Sequence, residues 1–195
     1  MLLGNALLDM YVKCGELVKA QYVFEQLPVH DVFSWTTLID GYTQCGLSHE
    51  TLTCFRQMEN EGVRPDATTY ACVLKACGTN GALDKGKEIH AEVEQKGLLK
   101  TSQLLGNSLV DMYAKCCMLE DAFIVFNGLP VPDAASWGAL IAGCVEYSYN
   151  SLAFKLFLKM QEWNLMPEKP TLMCLLHACS STKAMRQARL IHTFI

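Results

Sequence analysis

Asn5, Asp9 and Lys13 stand four residues apart, a spacing that places all three side chains on one face of an α-helix. The same spacing recurs in Thr36/Asp40/Gln44, Ala71/Lys75/Thr79 and Asn107/Asp111/Lys115, and in the less polar sets Gly138/Ala142/Glu146 and Met173/His177/Ser181. Amides and hydroxyls at regular intervals suit the edges of unstacked nucleic-acid bases, which present both donors and acceptors. A lysine two turns further along matches phosphate charge. The bland reading of the same pattern is a solvated helix face, and the residues alone leave both open.

A second group of residues is spelled like a catalytic site. His90-Ala91-Glu92 fits the H-x-E half of a zinc deaminase motif, in which metal-bound water is activated and a glutamate shuttles protons. The P-C-x-x-C half is missing, since none of the ten cysteines stands in C-x-x-C spacing. Cys72/Cys77 and Cys174/Cys179 are spaced C-x4-C, and Cys116 and Cys117 are adjacent. In an apolar helical pattern such cysteines read as small packing residues of a reducing compartment. The expectation is therefore a chain that is not an enzyme by itself, with no metal and no cofactor.

These residues need a scaffold, and composition allows one. The 195 residues are 51% hydrophobic and 18% charged, enough for a core, and the net charge of −4 argues against gripping nucleic acid by charge alone. No apolar stretch is long enough for a membrane span. The N-terminal Met1-Leu2-Leu3-Gly4-Asn5 lacks a basic or Arg/Ser-rich leader. A targeting segment is thus expected to lie outside this chain, or Met1 is not the native start.

The scaffold is written as a repeat. Gly4-Asn5-Ala6-Leu7-Leu8-Asp9-Met10-Tyr11-Val12-Lys13-Cys14 returns as Gly106-Asn107-Ser108-Leu109-Val110-Asp111-Met112-Tyr113-Ala114-Lys115-Cys116, an offset of 102 residues. The same offset carries Trp35 to Trp137, Cys72 to Cys174, Cys77 to Cys179 and His90 to His192. Self-similarity of this kind signals a solenoid. Each 102-residue unit splits into spans of 31, 35 and 36 residues, each with two apolar-periodic segments around a central turn. The first, 1–31, has helix A ending near Cys14-Gly15 and helix B over about 17–26, closed by Leu27-Pro28. The second, 32–66, turns at Gly46; the third, 67–102, turns over 78–81 and stops at Gly97. The cycle restarts with 103–133 and 134–168, and a truncated span, 169–195, ends the chain. The expected architecture is an all-α, right-handed α-solenoid of tandem helix-turn-helix repeats, one array over 1–195 with a continuous core and no separate domains. Helix A of every repeat would line the concave surface.

Spans of 31, 35 and 36 residues in rotation resemble the S, P and L motifs of the plant PLS subclass of pentatricopeptide-repeat (PPR) proteins, over the whole chain. G-N-[AS]-L-[LV]-D-M-Y-[VA]-K-C is specific for S motifs, assigning 1–31 and 103–133. Trp35-Thr36-Thr37-Leu38-Ile39-Asp40-Gly41-Tyr42 with Val63-Arg64-Pro65-Asp66 is similar to P motifs, assigning 32–66 and 134–168. Val73-Leu74-Lys75-Ala76-Cys77 with Lys85-Gly86-Lys87-Glu88-Ile89-His90 echoes the L motif, assigning 67–102 and 169–195. The alternative of a tetratricopeptide-like protein-binding scaffold finds Trp35-x2-Leu38 and Tyr42, but its glycine is displaced to Gly41 and its pattern has no S-type counterpart.

The resemblance implies sequence-specific binding of single-stranded RNA in mitochondria or chloroplasts, in RNA processing such as C-to-U editing, with editing-complex proteins as further partners and no membrane. An alternative is the recognition fragment of an editing enzyme whose deaminase lies outside this chain. In the family, the fifth and last residues of a motif jointly select one base. Asn5 with Asp31 and Asn107 with Asp133 match the uracil pair, and Thr36 with Asp66 the guanine pair. Ala71 with Ser102 belongs to an L motif with a poorer code. Gly138 with Glu168 departs from the pattern because Gly138 has no side chain, and Met173 departs as well. The family sandwiches bases between second-position residues, here Leu2, Phe33 and Leu104; the corresponding Thr68, Ala135 and Pro170 are poorer for stacking. Lys13 and Lys115 would meet phosphate.

Overall fold

The computed structural model describes residues 2–182 and 185–193, and among these the chain is helical without a strand. Met1, Phe194 and Ile195, the outer ends of the expected array, lie outside the described residues. The helices come in A/B pairs: α1 (Leu2–Lys13) with α2 (Leu17–Glu25), α3 (Val32–Gln44) with α4 (Ser48–Asn60), and α5 (Ala67–Asn80) with α6 (Leu83–Gln95). A 3₁₀ turn, Leu98–Lys100, follows. Then come α7 (Gln103–Lys115) and α8 (Leu119–Gly128), α9 (Ala134–Glu146) and α10 (Asn150–Glu162), α11 (Lys169–Thr182) and α12 (Met185–His192).

The chain divides into two compact units, Met1–Leu105 and Gly106–Ile195. In the first, each A helix packs against its own B helix and against the next A helix, α1 on α3 and α3 on α5. Apolar residues at helical spacing drive this. Trp35, Leu38 and Ile39 of α3 and Phe55 and Met58 of α4 are almost wholly buried. In the second unit α9 packs on α10 and α11 in the same way, around Leu140, Ile141, Phe157, Met160 and Leu175.

Turns differ between the units. Gly15, Gly46 and Gly62 adopt φ of 72–73° in the first unit. Their counterparts 102 residues on are Cys117, Ser148 and Asn164, at φ 63°, 63° and 54°. A left-handed residue with a β-carbon costs about 1–2 kcal/mol, partly offset because glycine loses more chain entropy on folding. Cys117→Gly is therefore expected to stabilise the protein by about 0.5–1 kcal/mol. An urea midpoint that falls in the variant would contradict this.

The third repeat departs from its expected turn. Gly78 lies buried inside α5, and the helix runs on to Asn80 before Gly81 ends it at φ 66°. A single glycine is tolerated in a helix whose neighbours are buried, so only the second glycine acts as the stop.

Candidate functional site

The last residues of three spans are also the N-caps of the next A helices. Asp31 Oδ1 accepts from the Ser34 amide at 2.8 Å, Asp66 Oδ1 from the Thr69 amide at 2.8 Å, and Asp133 Oδ1 from the Ser136 amide at 2.9 Å. Each fixes one otherwise unpaired helix donor. A carboxylate has a second oxygen, and those of Asp31 and Asp133 meet the preceding A helix. Asn5 Nδ2 donates to Asp31 Oδ2 at 3.3 Å, and Asn107 Nδ2 donates to both oxygens of Asp133 at 3.0 Å. A carboxylate only accepts, so it turns the amide nitrogen towards itself and leaves the amide oxygen as the remaining functional group. Asn107 Oδ1 is buried and has no hydrogen-bond partner among the described residues.

The contacts also act on the acids. The Ser34 amide foremost holds the Asp31 carboxyl below the ordinary 3.8, against burial and with help from the Ser34 hydroxyl and Asn5. Burial pushes Asp133 upward, but the Ser136 amide, Asn107 and the Ser136 hydroxyl together outweigh it and hold that carboxyl low.

In the second repeat the pair is joined through an intermediary. Thr36 Oγ1 lies 2.7 Å from Thr69 Oγ1, which donates to Asp66 Oδ1 at 2.9 Å. The other two expected pairs are not built this way. Ala71 is buried at 8% exposure and has no polar side-chain atom; Ser102 is half-buried and its amide bonds back to Leu98. At Gly138 a β-carbon would stand 2.6 Å from Thr171 Oγ1, so the following helix already fills the place of a fifth-position side chain, while Glu168 is exposed. Met173 is 70% exposed.

The second-position residues Leu2, Phe33 and Leu104 are exposed apolar side chains, and Thr68, Ala135 and Pro170 are exposed as well. Lys13 and Lys115 each close an i,i+4 salt bridge at 2.7 Å, with Asp9 and Asp111. Their charge is thus shared along the helix face.

Glu92 of the H-x-E spelling is held by Tyr70 Oη at 2.7 Å and Lys96 Nζ at 2.6 Å. Burial raises its carboxyl, and these two bonds more than compensate. No group of three or more His, Cys, Asp or Glu is arranged to hold a metal among the described residues. Burial lifts the Cys72 thiol to about 12, and Cys54, Cys77, Cys144 and Cys179 are buried too. The packing reading needs correcting elsewhere. Cys14, Cys45 and Cys117 are exposed, and Cys116 and Cys174 are only half-buried. Cys14, Cys45, Cys116 and Cys117 lie in the turns just past the ends of their A helices.

Sequence reasoning missed Ser34, Thr69 and Ser136, the third residues of their helices. The signal was present as D-x-x-[ST], at Asp31/Ser34, Asp66/Thr69 and Asp133/Ser136, the spelling of an N-cap box. In two of the three the reciprocal bond back to the aspartate amide is also made.

The PPR repeat model matches residues 5–32, 68–98, 107–130 and 135–165, and a PPR repeat family model matches 30–79. A chloroplastic pentatricopeptide repeat-containing protein of Arabidopsis thaliana is 42% identical over 178 residues, 90% of this chain and 24% of that protein. A putative mitochondrial one from the same plant is 39% identical over 178 residues, 91% of this chain and 28% of that protein. The chain spans between 19% and 32% of the length of such curated relatives. Among solved structures, PPR10 in complex with an 18-nt psaJ RNA element superposes with a TM-score of 0.82 at 17% identity, over 97% of this chain and 29% of that one. The fold is that of a PPR solenoid, and by its repeats and its relatives the chain belongs to the pentatricopeptide-repeat family.

Proposed function

We propose that this chain binds single-stranded RNA through the A-helix face, one base per repeat. The observation that carries the reading is the Asn107–Asp133 pair: an amide pinned by a carboxylate, with a buried acceptor oxygen that lacks a donor. An acceptor left unpaired costs about 1–3 kcal/mol, which a base N–H would recover once the side chain turns this oxygen outward. Asn5 with Asp31 repeats the arrangement. Uracil carries an N–H at the centre of its pairing edge, and guanine does too; adenine and cytosine carry acceptors there. An acceptor on the protein therefore favours uracil and guanine, and its reach separates them. The longer asparagine meets the smaller pyrimidine, and the shorter Thr36 leaves room for a purine. The first, second and fourth repeats then read U, G and U. Ala71 with Ser102 and Gly138 with Glu168 contribute weak selection. Leu2, Phe33 and Leu104 stack on bases, and Lys13 and Lys115 meet phosphate with charge reduced by their aspartates.

The rotation of span lengths supports the PLS subclass, and the names of relatives support a mitochondrial or chloroplast setting. In that setting the chain is the recognition part of an RNA-processing factor such as one for C-to-U editing, without catalysis of its own, and works with editing-complex proteins. Base edges are reachable only when splayed out, so single-stranded RNA is expected to bind more tightly than duplex of the same sequence. Competition binding decides it: equal or tighter duplex binding would rule out reading by base edges.

A further inference from the structure

We infer that Thr69, a buried residue of the third repeat, is a positioning residue that fixes the hydroxyl of Thr36 in the second repeat as a hydrogen-bond acceptor towards RNA. This rests on the reading of the A-helix face as a base-reading surface.

The argument follows the protons. The Asp66 carboxylate can only accept, and its Oδ1 lies 2.8 Å from the Thr69 amide and 2.9 Å from Thr69 Oγ1. A threonine hydroxyl has one proton, so that of Thr69 points at Asp66. Thr69 Oγ1 also receives the Asp66 amide at 3.3 Å, which closes the N-cap box and further locks its orientation. The 2.7 Å contact between the two hydroxyls then has a single satisfactory direction, with Thr36 donating and Thr69 accepting. Thr36, half-buried, is left with lone pairs only. A freely rotating hydroxyl pairs with donors and acceptors alike and discriminates little. A pinned one pairs only with donors. Guanine offers an N–H where adenine offers an acceptor, so the pinning, more than the presence of a hydroxyl, separates the two purines.

Thr69 itself has no exposed surface and touches no base. Its influence passes through Thr36. Asn5 and Asn107 need no such intermediary, because an amide reaches the carboxylate directly. The helices that follow them carry serine in the third position, Ser34 and Ser136, whose hydroxyls donate to the main-chain oxygens of Asp31 and Asp133 at 2.9 Å instead.

The test is competition binding of the full 195-residue chain with short single-stranded RNAs identical except for G or A opposite the second repeat. The unaltered chain is expected to prefer G by on the order of fivefold, the worth of one hydrogen bond. Thr69→Val keeps the shape and removes the hydroxyl, and is expected to bring the two purines within about twofold while affinity for the rest of the RNA holds. Thr69→Ser restores the hydroxyl and is expected to restore the preference, which loss of packing alone would not explain. Should Thr69→Val fail to fold, Thr69→Ala carries the same expectation. Thr36→Val removes the acceptor while leaving the cap of α5 whole. If Thr36→Val loses the preference and folded Thr69→Val keeps it, the inference about Thr69 is overturned and the base-reading face stands. If Thr36→Val also keeps it, or the unaltered chain shows none, the reading of this face falls and takes the inference with it.

Discussion

Asp133→Ala is expected to lower stability by about 2–4 kcal/mol and to erase base preference at the fourth repeat. Two losses add. The Ser136 amide at the start of α9 loses its cap at 2.9 Å, worth about 1 kcal/mol. The Asn107 amide loses both acceptors at 3.0 Å and is left partly buried without partners, worth roughly 1–3 kcal/mol more. Acid should produce part of the same effect in the unaltered protein. The folded state holds the Asp31 and Asp133 carboxyls below the ordinary 3.8, so their stabilisation is present above that value. It is lost as pH falls through the lower folded-state values. Asp133→Ala should accordingly show a shallower fall in denaturant midpoint below about pH 4. A variant as stable as the parent at neutral pH, with an unchanged acid profile, would mean that Asp133 neither caps α9 nor orients Asn107.

The dual use of aspartate explains what the sequence could and could not disclose. The 102-residue offset and the apolar spacing of Trp35, Leu38 and Ile39 place the helices, because solenoid packing needs only neighbours close in the chain. Pairing Asn107 with Asp133 was available only through resemblance. Nothing in the spacing of two residues 26 apart says that a carboxylate at the start of one helix meets an amide on the preceding A helix. Caps were legible in principle from D-x-x-[ST]. The Thr36–Thr69 link was not, since it joins side chains from two successive A helices whose register is set by burial of Trp35, Leu38 and Tyr70. The failures have physical sources as well. Gly78 reads as a turn but lies within a buried helix, and Cys14 reads as packing but sits in the turn past the end of α1. Cys117, Ser148 and Asn164 carry a backbone that glycine carries in the first unit, and only the internal offset betrays them.

Asn107→Thr is expected to move the preference at the fourth repeat from U towards G, by on the order of 1 kcal/mol or more, about five- to tenfold in relative affinity. The amide now engages both Asp133 oxygens, one of which also caps α9. Its replacement vacates Oδ2 while leaving the cap in place. The Ser136 hydroxyl is already engaged, accepting from the Asp133 amide and donating to its main-chain oxygen, both at 2.9 Å. Threonine is too short for the direct route of the amide, so its hydroxyl is expected to donate to the remaining lone pair of Ser136 Oγ, as Thr36 does to Thr69, which leaves its own lone pairs facing the base. Polarity at the site is conserved, and adenine and cytosine stay disfavoured. What changes is reach, since threonine is shorter than asparagine and the larger purine fills the difference. The fold should survive, because Asn107 is only half-buried and threonine costs a helix little more than asparagine. Competition between RNAs differing only at that nucleotide measures the shift. A folded variant that still prefers U would show that Asn107 does not read the base. A variant that binds all four bases alike would show that its hydroxyl is not held, and adding Ser136→Thr, which copies the Thr36–Thr69 arrangement of the second repeat, should then restore selection for G.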